Sequence, residues 1–163
     1  RSRGLGDVYK RQALQHADMV KGSRYVSGGS VVNWPKSREF ISRGGGAWTR
    51  LMLGIDVKDP TGGFNAFRAS TLRTINLATV DSAGYCFQLD MTWRVLKAGG
   101  VVAEVPITFV ERERGASKMS KDIVVEAMAQ TTRWGVEHRA KQVSHVADKL
   151  AGKASEVIKQ FRR

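Results

Sequence analysis

A short basic segment in the second half of the chain gathers side chains that bind phosphate. It holds two arginines, one lysine, two serines and one glycine: Arg112, Arg114, Lys118, Ser117, Ser120 and Gly115. A guanidinium group binds phosphate through paired N–H donors, and a glycine lets the backbone approach a ligand closely. The segment is therefore a candidate anion site. A solvated hairpin tip with scattered charges is the alternative interpretation.

Two predicted elements hold this segment in place. The apolar, β-branched run 101–110 predicts a single strand that leads into it. Ser120 as N-cap and Asp122 in the first turn predict a helix that begins directly after it, and the start of a helix attracts anions. The order of strand, basic loop and helix is typical of an anion-binding turn.

Arg24 is a second candidate cation. It lies near the end of a short strand that residues 17–25 predict. Ligands of open α/β sheets bind in the crevice outside the carboxyl ends of the strands, so this position favours a role in binding. An arginine that only covers surface is the alternative.

A helix with three glycines is predicted next. Ser37 is its expected N-cap, and it runs over about residues 38–53. The glycines 44–46 each weaken a helix by roughly 1 kcal/mol relative to alanine, so they indicate close packing or a break. The mixture of aromatic, aliphatic and arginine side chains in this helix suits a lipid interface, and packing on a domain core explains it equally well.

The centre of the chain predicts a turn, a strand and two helices. The turn covers residues 59–63 and precedes an alternating strand. The helices cover about residues 70–75 and 86–98, and glycines stop the second one. Gln88 and Asp90 lie near the start of the second helix, where clefts often open.

The composition is that of a globular domain with a surplus of positive charge. The 163 residues are 42% hydrophobic and 26% charged, with 27 Lys and Arg against 15 Asp and Glu. The net charge of +12 favours an anionic partner such as nucleic acid, a phospholipid surface or a phosphorylated substrate. Most of this surplus lies in residues 1–12 and 133–163.

Several classes of protein are excluded or disfavoured. Cys86 is the single cysteine, so no disulfide framework forms within the chain, and a buried small hydrophobe is the expected role. His16, His138 and His145 have no ligands at zinc-site spacing. No apolar run of about 18 residues exists to span a membrane. Residues 1–12 resemble adapter-derived sequence and are left outside the predicted fold.

The C-terminal residues 140–163 predict a basic amphipathic helix. Apolar side chains recur there at three- and four-residue steps from Val143 to Phe161. Such a helix lies on an anionic membrane, pairs with a partner helix or docks on its own domain, and the sequence leaves all three open.

Six short motifs occur in one order between residues 17 and 139. They are GSRY at 22–25, NWP at 33–35 followed by Arg38 and Ser42, DPTGGF at 59–64, GYCFQLD at 84–90, VPITF at 105–109 and RERGASK at 112–118. Each motif alone is weak. The ordered set closely resembles the polyprenol-phosphate (dolichol-phosphate) mannosyltransferases of glycosyltransferase family 2, especially the actinobacterial type.

This resemblance implies a fold, a reaction and a set of site residues. The fold is the C-terminal part of a GT-A nucleotide-sugar transferase, an α/β fold, and the reaction moves mannose from GDP-mannose to a polyprenyl phosphate with inversion. The implied catalytic residues are Arg24, Arg38 and Arg114, which hold the acceptor phosphate, and Asp90, which orients sugar hydroxyls or basic side chains. The implied substrate-binding residues are Arg112, Ser117, Lys118, Gln88, Asp59 and Ser42.

The chain departs from this family in two ways. The family's N-terminal half, with the Asp-x-Asp that holds Mg²⁺ or Mn²⁺, has no counterpart before Asp18, so the chain alone is expected to be inactive. Asn65 stands where arginine is common. We expect residues 13–139 to form the acceptor-side part of the transferase domain and residues 140–163 to form a helical tail.

The resemblance also implies partners and a location. GDP-mannose and polyprenyl phosphate are the expected substrates, at the cytoplasmic face of a membrane, with a membrane-anchoring protein as a further candidate partner. A transferase of glucose or N-acetylhexosamine is the nearest alternative. A basic module that binds membrane or nucleic acid is the alternative from another class, but the sequence lacks the regular aromatic and basic interleaving of a single-strand binder, so nucleic acid is not expected.

Overall fold

The computed structural model describes residues 10–80, 84–111 and 121–161. Within these ranges the strands are β1 (Met19–Ser23), β2 (Ser30–Val32), β3 (Asn65–Phe67), β4 (Val102–Pro106) and β5 (Thr108–Val110). The helices are α1 (Lys36–Leu53), α2 (Ala69–Thr74), α3 (Gly84–Lys97) and α4 (Lys121–Phe161), with a short 3₁₀ turn at Leu77–Thr79. The fold is a mixed α/β arrangement with two small sheets.

Strand β1 is the centre of the larger sheet. It pairs in parallel with β4 and antiparallel with β3, and the register places Lys21 opposite both Asn65 and Glu104. The smaller sheet joins β2 and β5 in parallel. Because β1 is buried along its whole length, the turn after it is fixed against the sheet, and Arg24 begins that turn.

A small apolar core lies behind the larger sheet. Its buried members are Met19, Ile75, Met91 and Val95, and Phe67, Leu72, Val80 and Val102 pack around them. Strand β1 and helix α3 each supply part of this core, so the strand that leads to Arg24 and the helix that carries Gln88 are held against each other. Cys86 is buried on α3, as predicted.

Most elements of the sequence prediction are confirmed within about two residues, but the single strand over 101–110 is wrong. The chain forms two strands there, one in each sheet. Pro106 has no N–H to continue the ladder, and at Ile107 the chain changes partner: its N–H donates to the carbonyl of Ser23, and its carbonyl accepts from Ser30. The break directs β5 towards β2.

The prediction for the start of α1 is also wrong. Pro35, not Ser37, is the N-cap, and no side chain caps the helix. Proline suits a helix start because its φ is fixed near the helical value and its missing N–H is not needed. The glycines do not break the helix. Gly46 is buried, and a Cβ there would lie 3.6 Å from the carbonyl oxygen of Lys58.

Helix α4 is a single element from Lys121 to Phe161, with no separate tail helix after residue 139. It crosses α1 closely, because a Cβ on Gly135 would lie 2.9 Å from the carbonyl carbon of Met52. Beyond this crossing every described side chain from residue 140 to residue 151 is exposed. Docking on the chain's own domain is therefore not seen over those residues. None of the helices, within the described residues, is long and apolar enough to cross a membrane.

Candidate functional site

Arg24 is fixed by a buried carboxylate at the end of β1. Its Nε and Nη2 donate to the two oxygens of Asp59 at 2.7 and 2.6 Å, and its backbone N–H donates to the same carboxylate at 3.0 Å. Thr61 accepts a further bond from Nη2. Asp59 is fully buried, and Glu104 in turn accepts its backbone N–H. Charge-assisted bidentate pairs of this kind fix geometry strongly.

An aromatic pair lies beside this arginine. Trp34 and Phe109 meet edge to face, with ring centroids 5.4 Å apart. The guanidinium carbon of Arg38 lies 4.2 Å from the Trp34 ring centroid, and that of Arg24 lies 5.2 Å from it. Cations over an indole face gain about 0.5–2 kcal/mol. One tryptophan therefore brings the two arginines into one cluster.

Two N–H donors of this cluster are buried and have no partner among the described residues. They are Nε1 of Trp34 and Nε of Arg38. A buried donor without a hydrogen bond costs about 1–3 kcal/mol, so such groups are rare in folded proteins. Two of them beside two guanidinium groups form a site that an anionic oxygen acceptor would complete.

The same cluster contacts the residue that precedes the basic segment in the sequence. Arg38 forms an ion pair with Glu111, the last described residue before that segment. Four predicted site residues, Arg112, Arg114, Ser117 and Lys118, lie outside the described residues. The structure thus brings Arg24 and Arg38 together beside Trp34, and the role predicted for the side chains of the basic segment stays a prediction.

Ser42 lies one turn after Arg38 on the buried face of α1. Its hydroxyl oxygen accepts a bond of 2.7 Å from the phenol of Tyr25, the residue after Arg24. The guanidinium carbon of Arg43 lies 4.5 Å from the centroid of that phenol ring. Ser42 therefore joins the cluster through Tyr25.

Gln88 belongs to a second chain of polar contacts behind the turn at residues 59–63. Its side-chain oxygen accepts a bond of 2.5 Å from the amide of Asn65. The oxygen of Asn65 in turn accepts a bond of 3.0 Å from Nζ of Lys21. Lys21 also donates to the carbonyl of Gly62, so this chain supports the same turn that carries Asp59.

Asp90 has a basic partner on its own helix. Its carboxylate accepts a bond of 2.7 Å from Nε of Arg94, and both groups are largely buried. Arg94 also donates to the carbonyl of Asn76, just before the 3₁₀ turn, and to that of Thr79, the last residue of this turn. Asp90 thereby anchors this loop against α3.

Comparison with known proteins agrees with the motifs. No protein-family model matches the chain. The chain is 53% identical over 128 residues to a Micrococcus luteus protein named undecaprenyl-phosphate mannosyltransferase. This match covers 78% of the chain and 53% of the Micrococcus luteus protein. It is 49% identical over 123 residues to the polyprenol monophosphomannose synthase of Mycolicibacterium smegmatis. This match covers 76% of the chain and 46% of the synthase. The chain is a homologue of the polyprenol-phosphate mannosyltransferases.

The resemblance found in the sequence is thus confirmed, and the chain spans about half the length of the curated relatives it matches. Identity near 50% over more than 120 residues covers most of the described fold.

Three residues of this mannosyltransferase homologue's site are absent from the sequence prediction of site residues. Lys21 and Glu104 lie on strands, and a charged residue in a strand is expected to be exposed. Lys21 is instead fully buried. The carboxylate of Glu104 accepts hydrogen bonds from two consecutive backbone N–H groups, those of Lys58 and Asp59. In the sequence, Trp34 stands out only as part of the NWP motif at 33–35. The available signal for Lys21 is its position: a single charge in the otherwise uncharged strand β1.

Metal ligands are not gathered in the described part of this homologue. Among residues 10–80, 84–111 and 121–161 no three His, Cys, Asp or Glu side chains come together in a way that holds a metal ion. The carboxylates near the cluster are already engaged: Asp59 by Arg24, Asp90 by Arg94 and Glu111 by Arg38. The described residues therefore do not fit a Mg²⁺ or Mn²⁺ site.

Proposed function

We propose that this chain is the acceptor-side half of a GT-A glycosyltransferase that moves mannose from GDP-mannose to a polyprenyl phosphate with inversion. The observation that carries the proposal is the cluster of Arg24, Arg38 and Trp34, with its two unpartnered buried N–H groups. A phosphate offers several acceptor oxygens to such a cluster, and it carries the charge that the two guanidinium groups attract.

The chemistry needs fixed cations more than it needs a base. The attacking atom is a phosphate oxygen of the lipid, and a phosphate monoester with a second pKa of about 6 is already largely deprotonated at neutral pH. This oxygen forms a bond to C1 of mannose, and the bond from C1 to the diphosphate oxygen breaks as GDP leaves. Two phosphate-bearing substrates repel each other in a partly dry cleft, and Arg24 and Arg38, together with Arg114 from the basic segment, offset that repulsion.

The remaining polar residues serve the sugar side in this proposal. Gln88 faces the sugar pocket, Asp59 holds Arg24 ready beside it, and Asp90 fixes the loop near the start of α3 through Arg94. Arg112, Ser117 and Lys118 of the basic segment are the further candidates for contact with the phosphates of the substrates. The Mg²⁺ or Mn²⁺ that the resemblance implies would be held by the Asp-x-Asp of the other half of the enzyme.

We further propose peripheral contact with a membrane, at its cytoplasmic face, through α1 and the first half of α4. An open apolar groove of about 550 Å³ runs between them, lined by Phe40, Ile41, Gly44, Gly45, Ala47, Trp48, Leu51, Val124 and Met128. Phe40 is 78% exposed and Leu51 is 62% exposed. Arg43 and Arg50 lie on the same helix and suit anionic headgroups. A membrane-anchoring protein is a further candidate partner for this face.

The experiment is a chimera that supplies the other half. Residues 13–163 replace the matching part of the Mycolicibacterium smegmatis relative, and the product is assayed for transfer from GDP-mannose to a polyprenyl phosphate. We expect mannose transfer by the chimera and none by the 163-residue chain alone. A folded chimera without transfer, in conditions where the parent relative works, contradicts the proposal.

Two arms of the same assay separate the alternatives. UDP-glucose and a UDP-N-acetylhexosamine, offered in place of GDP-mannose, test the choice of sugar. The 163-residue chain, offered single-stranded DNA over a range of salt concentrations, tests nucleic-acid binding, which would weaken steeply as salt rises. We expect GDP-mannose as the preferred donor and no specific binding of DNA.

A further inference from the structure

Lys21 is a buried cation whose hydrogen bonds are all made to the protein. It lies in the middle of β1 with no exposed surface. Its Nζ donates to the carbonyl of Gly62 at 3.1 Å, to Oδ1 of Asn65 at 3.0 Å and to Oγ1 of Thr92 at 3.1 Å. A lysine ammonium has three N–H donors, so none is left for a ligand. Lys21 acts on a substrate only through the groups it holds.

The N–H donors of Lys21 determine which way the side-chain amide of Asn65 is turned. An ammonium requires an oxygen in front of it, so the oxygen of Asn65 faces Lys21 and the NH₂ group of Asn65 faces away from it. That NH₂ group donates to Oε1 of Gln88. The oxygen of Gln88 is therefore turned inward, and its own NH₂ group is the end left for a ligand.

Burying this ammonium is costly. Burial lowers the pKa of Lys21 to about 8. The carboxylates of Asp59 and Glu104 act in the opposite direction and raise this pKa, whereas the guanidinium group of Arg24 lowers it further. These three side chains are the charged groups that act on Lys21. An apolar side chain would fill the same space without this desolvation cost, so packing alone does not account for a lysine here.

We propose that Lys21 is a positioning residue of the sugar pocket, which turns the amide of Asn65 so that Gln88 presents N–H donors to the hydroxyl oxygens of the donor sugar. The proposal rests on the proposed function for the reaction, but not for the orientation of the amides. It gives Lys21 and Asn65, a cross-strand pair, a joint role in sugar binding.

The deciding variant is Asn65→Asp in the chimera described above. A carboxylate at this position keeps the bond to Lys21 and gains an ion pair, so folding is preserved, but it has no N–H to offer Gln88. Gln88 must then turn its NH₂ group inward and its oxygen outward. We expect KM for GDP-mannose to rise about tenfold, the cost of one misplaced hydrogen bond, with KM for polyprenyl phosphate unchanged.

Two variants of Lys21 complete the test. Lys21→Gln retains N–H donors towards Asn65, and we expect it to keep KM for GDP-mannose within about threefold of the parent, whereas Lys21→Met frees the amide of Asn65 and raises KM about tenfold. Thermal melting confirms that each variant is folded.

The orientation itself is measured without activity. In the ¹⁵N-labelled chimera, the side-chain NH₂ signals of Gln88 should move on Asn65→Asp and on Lys21→Met, and not on Lys21→Gln. If the chimera transfers no mannose but these signals move as expected, the proposed function fails, and the orientation of the Asn65 and Gln88 amides by Lys21 is still supported. If KM for GDP-mannose is unchanged in folded Asn65→Asp, or the Gln88 signals do not move, the inference is overturned.

Discussion

The carboxylate of Asp59 accepts hydrogen bonds from both the guanidinium group and the backbone N–H of Arg24. This contact sets the conformation of the turn after β1 and the direction of the arginine at the same time. A long flexible side chain is thereby held in one orientation before any ligand arrives, which reduces the entropy that binding would otherwise cost. The same carboxylate is fully buried, so the pair is protected from screening by salt.

Asp59→Asn should therefore destabilise the fold as well as the site. The substitution removes the buried carboxylate charge that Arg24 pairs with, and breaking a buried pair in this way costs about 3–5 kcal/mol. Urea unfolding of the 163-residue chain measures the free energy of unfolding. The matched control is Glu39→Gln, which removes the partner of Arg43 in an exposed pair on α1 and should cost less than about 0.5 kcal/mol. Equal losses in the two variants would contradict a structural role for the buried pair.

Trp34→Phe should weaken phosphate binding with little effect on folding. The substitution keeps an aromatic face for Arg38 but removes the Nε1 donor that has no partner among the described residues. A hydrogen bond to a charged group is worth about 1.5–3 kcal/mol, so we expect the dissociation constant for a short prenyl phosphate, measured by calorimetry on the chimera, to rise at least tenfold. Trp48→Phe is the control, because its Nε1 already donates to Thr132. If both variants bind equally well, the donor of Trp34 does not face the phosphate.

Gly135→Ala and Gly44→Ala should change stability in opposite directions. A Cβ at Gly135 meets the backbone of Met52 where α4 crosses α1, so the helices must separate. A Cβ at Gly44 has no described atom within 4 Å, and alanine is favoured over glycine inside a helix by about 0.5–1 kcal/mol. Thermal melting of the two variants should show a lower Tm for the first and a higher Tm for the second. A stabilised Gly135→Ala variant would mean that the helices do not meet there.

The sequence predicts the elements well because their signals are local. Hydrophobic period, glycine stops and turn residues place α1, α2, α3 and β1 within about two residues of where the structure has them. The break of the run 101–110 is not local, since it depends on which strand accepts the chain after Ile107. A β-rich run with one proline predicts a single strand. The structure shows two strands because the first half of the run pairs with β1 and the second half with β2.

For the site, the sequence likewise predicts individual residues but not the contacts between them. The sequence singles out Arg24 by its position at the end of a predicted strand, and the family resemblance implies Arg38 and Asp59 as separate candidates. It does not show that Asp59 serves Arg24, or that Trp34 lies beside Arg24 as well as Arg38, because Arg24 meets Asp59 and Trp34 only through the fold. Lys21 is the extreme case: its isolated charge in β1 is the one local signal, and only its three hydrogen-bond acceptors explain why it is buried.

Leu51→Ser and Phe40→Ser should weaken binding to lipid vesicles. Both side chains border the apolar groove between α1 and α4, and Leu51 is 62% exposed. Burying a leucine or phenylalanine is worth about 1.5–3 kcal/mol, so we expect each substitution to reduce the partition coefficient roughly tenfold on vesicles of phosphatidylcholine with an anionic phospholipid. Leu77→Ser is the matched control, since Leu77 is 47% exposed on the 3₁₀ turn, outside the residues that line the groove. Sedimentation with the vesicles gives the three coefficients. An equal loss for Leu51→Ser and Leu77→Ser would show that general hydrophobicity, and not this face, drives the association.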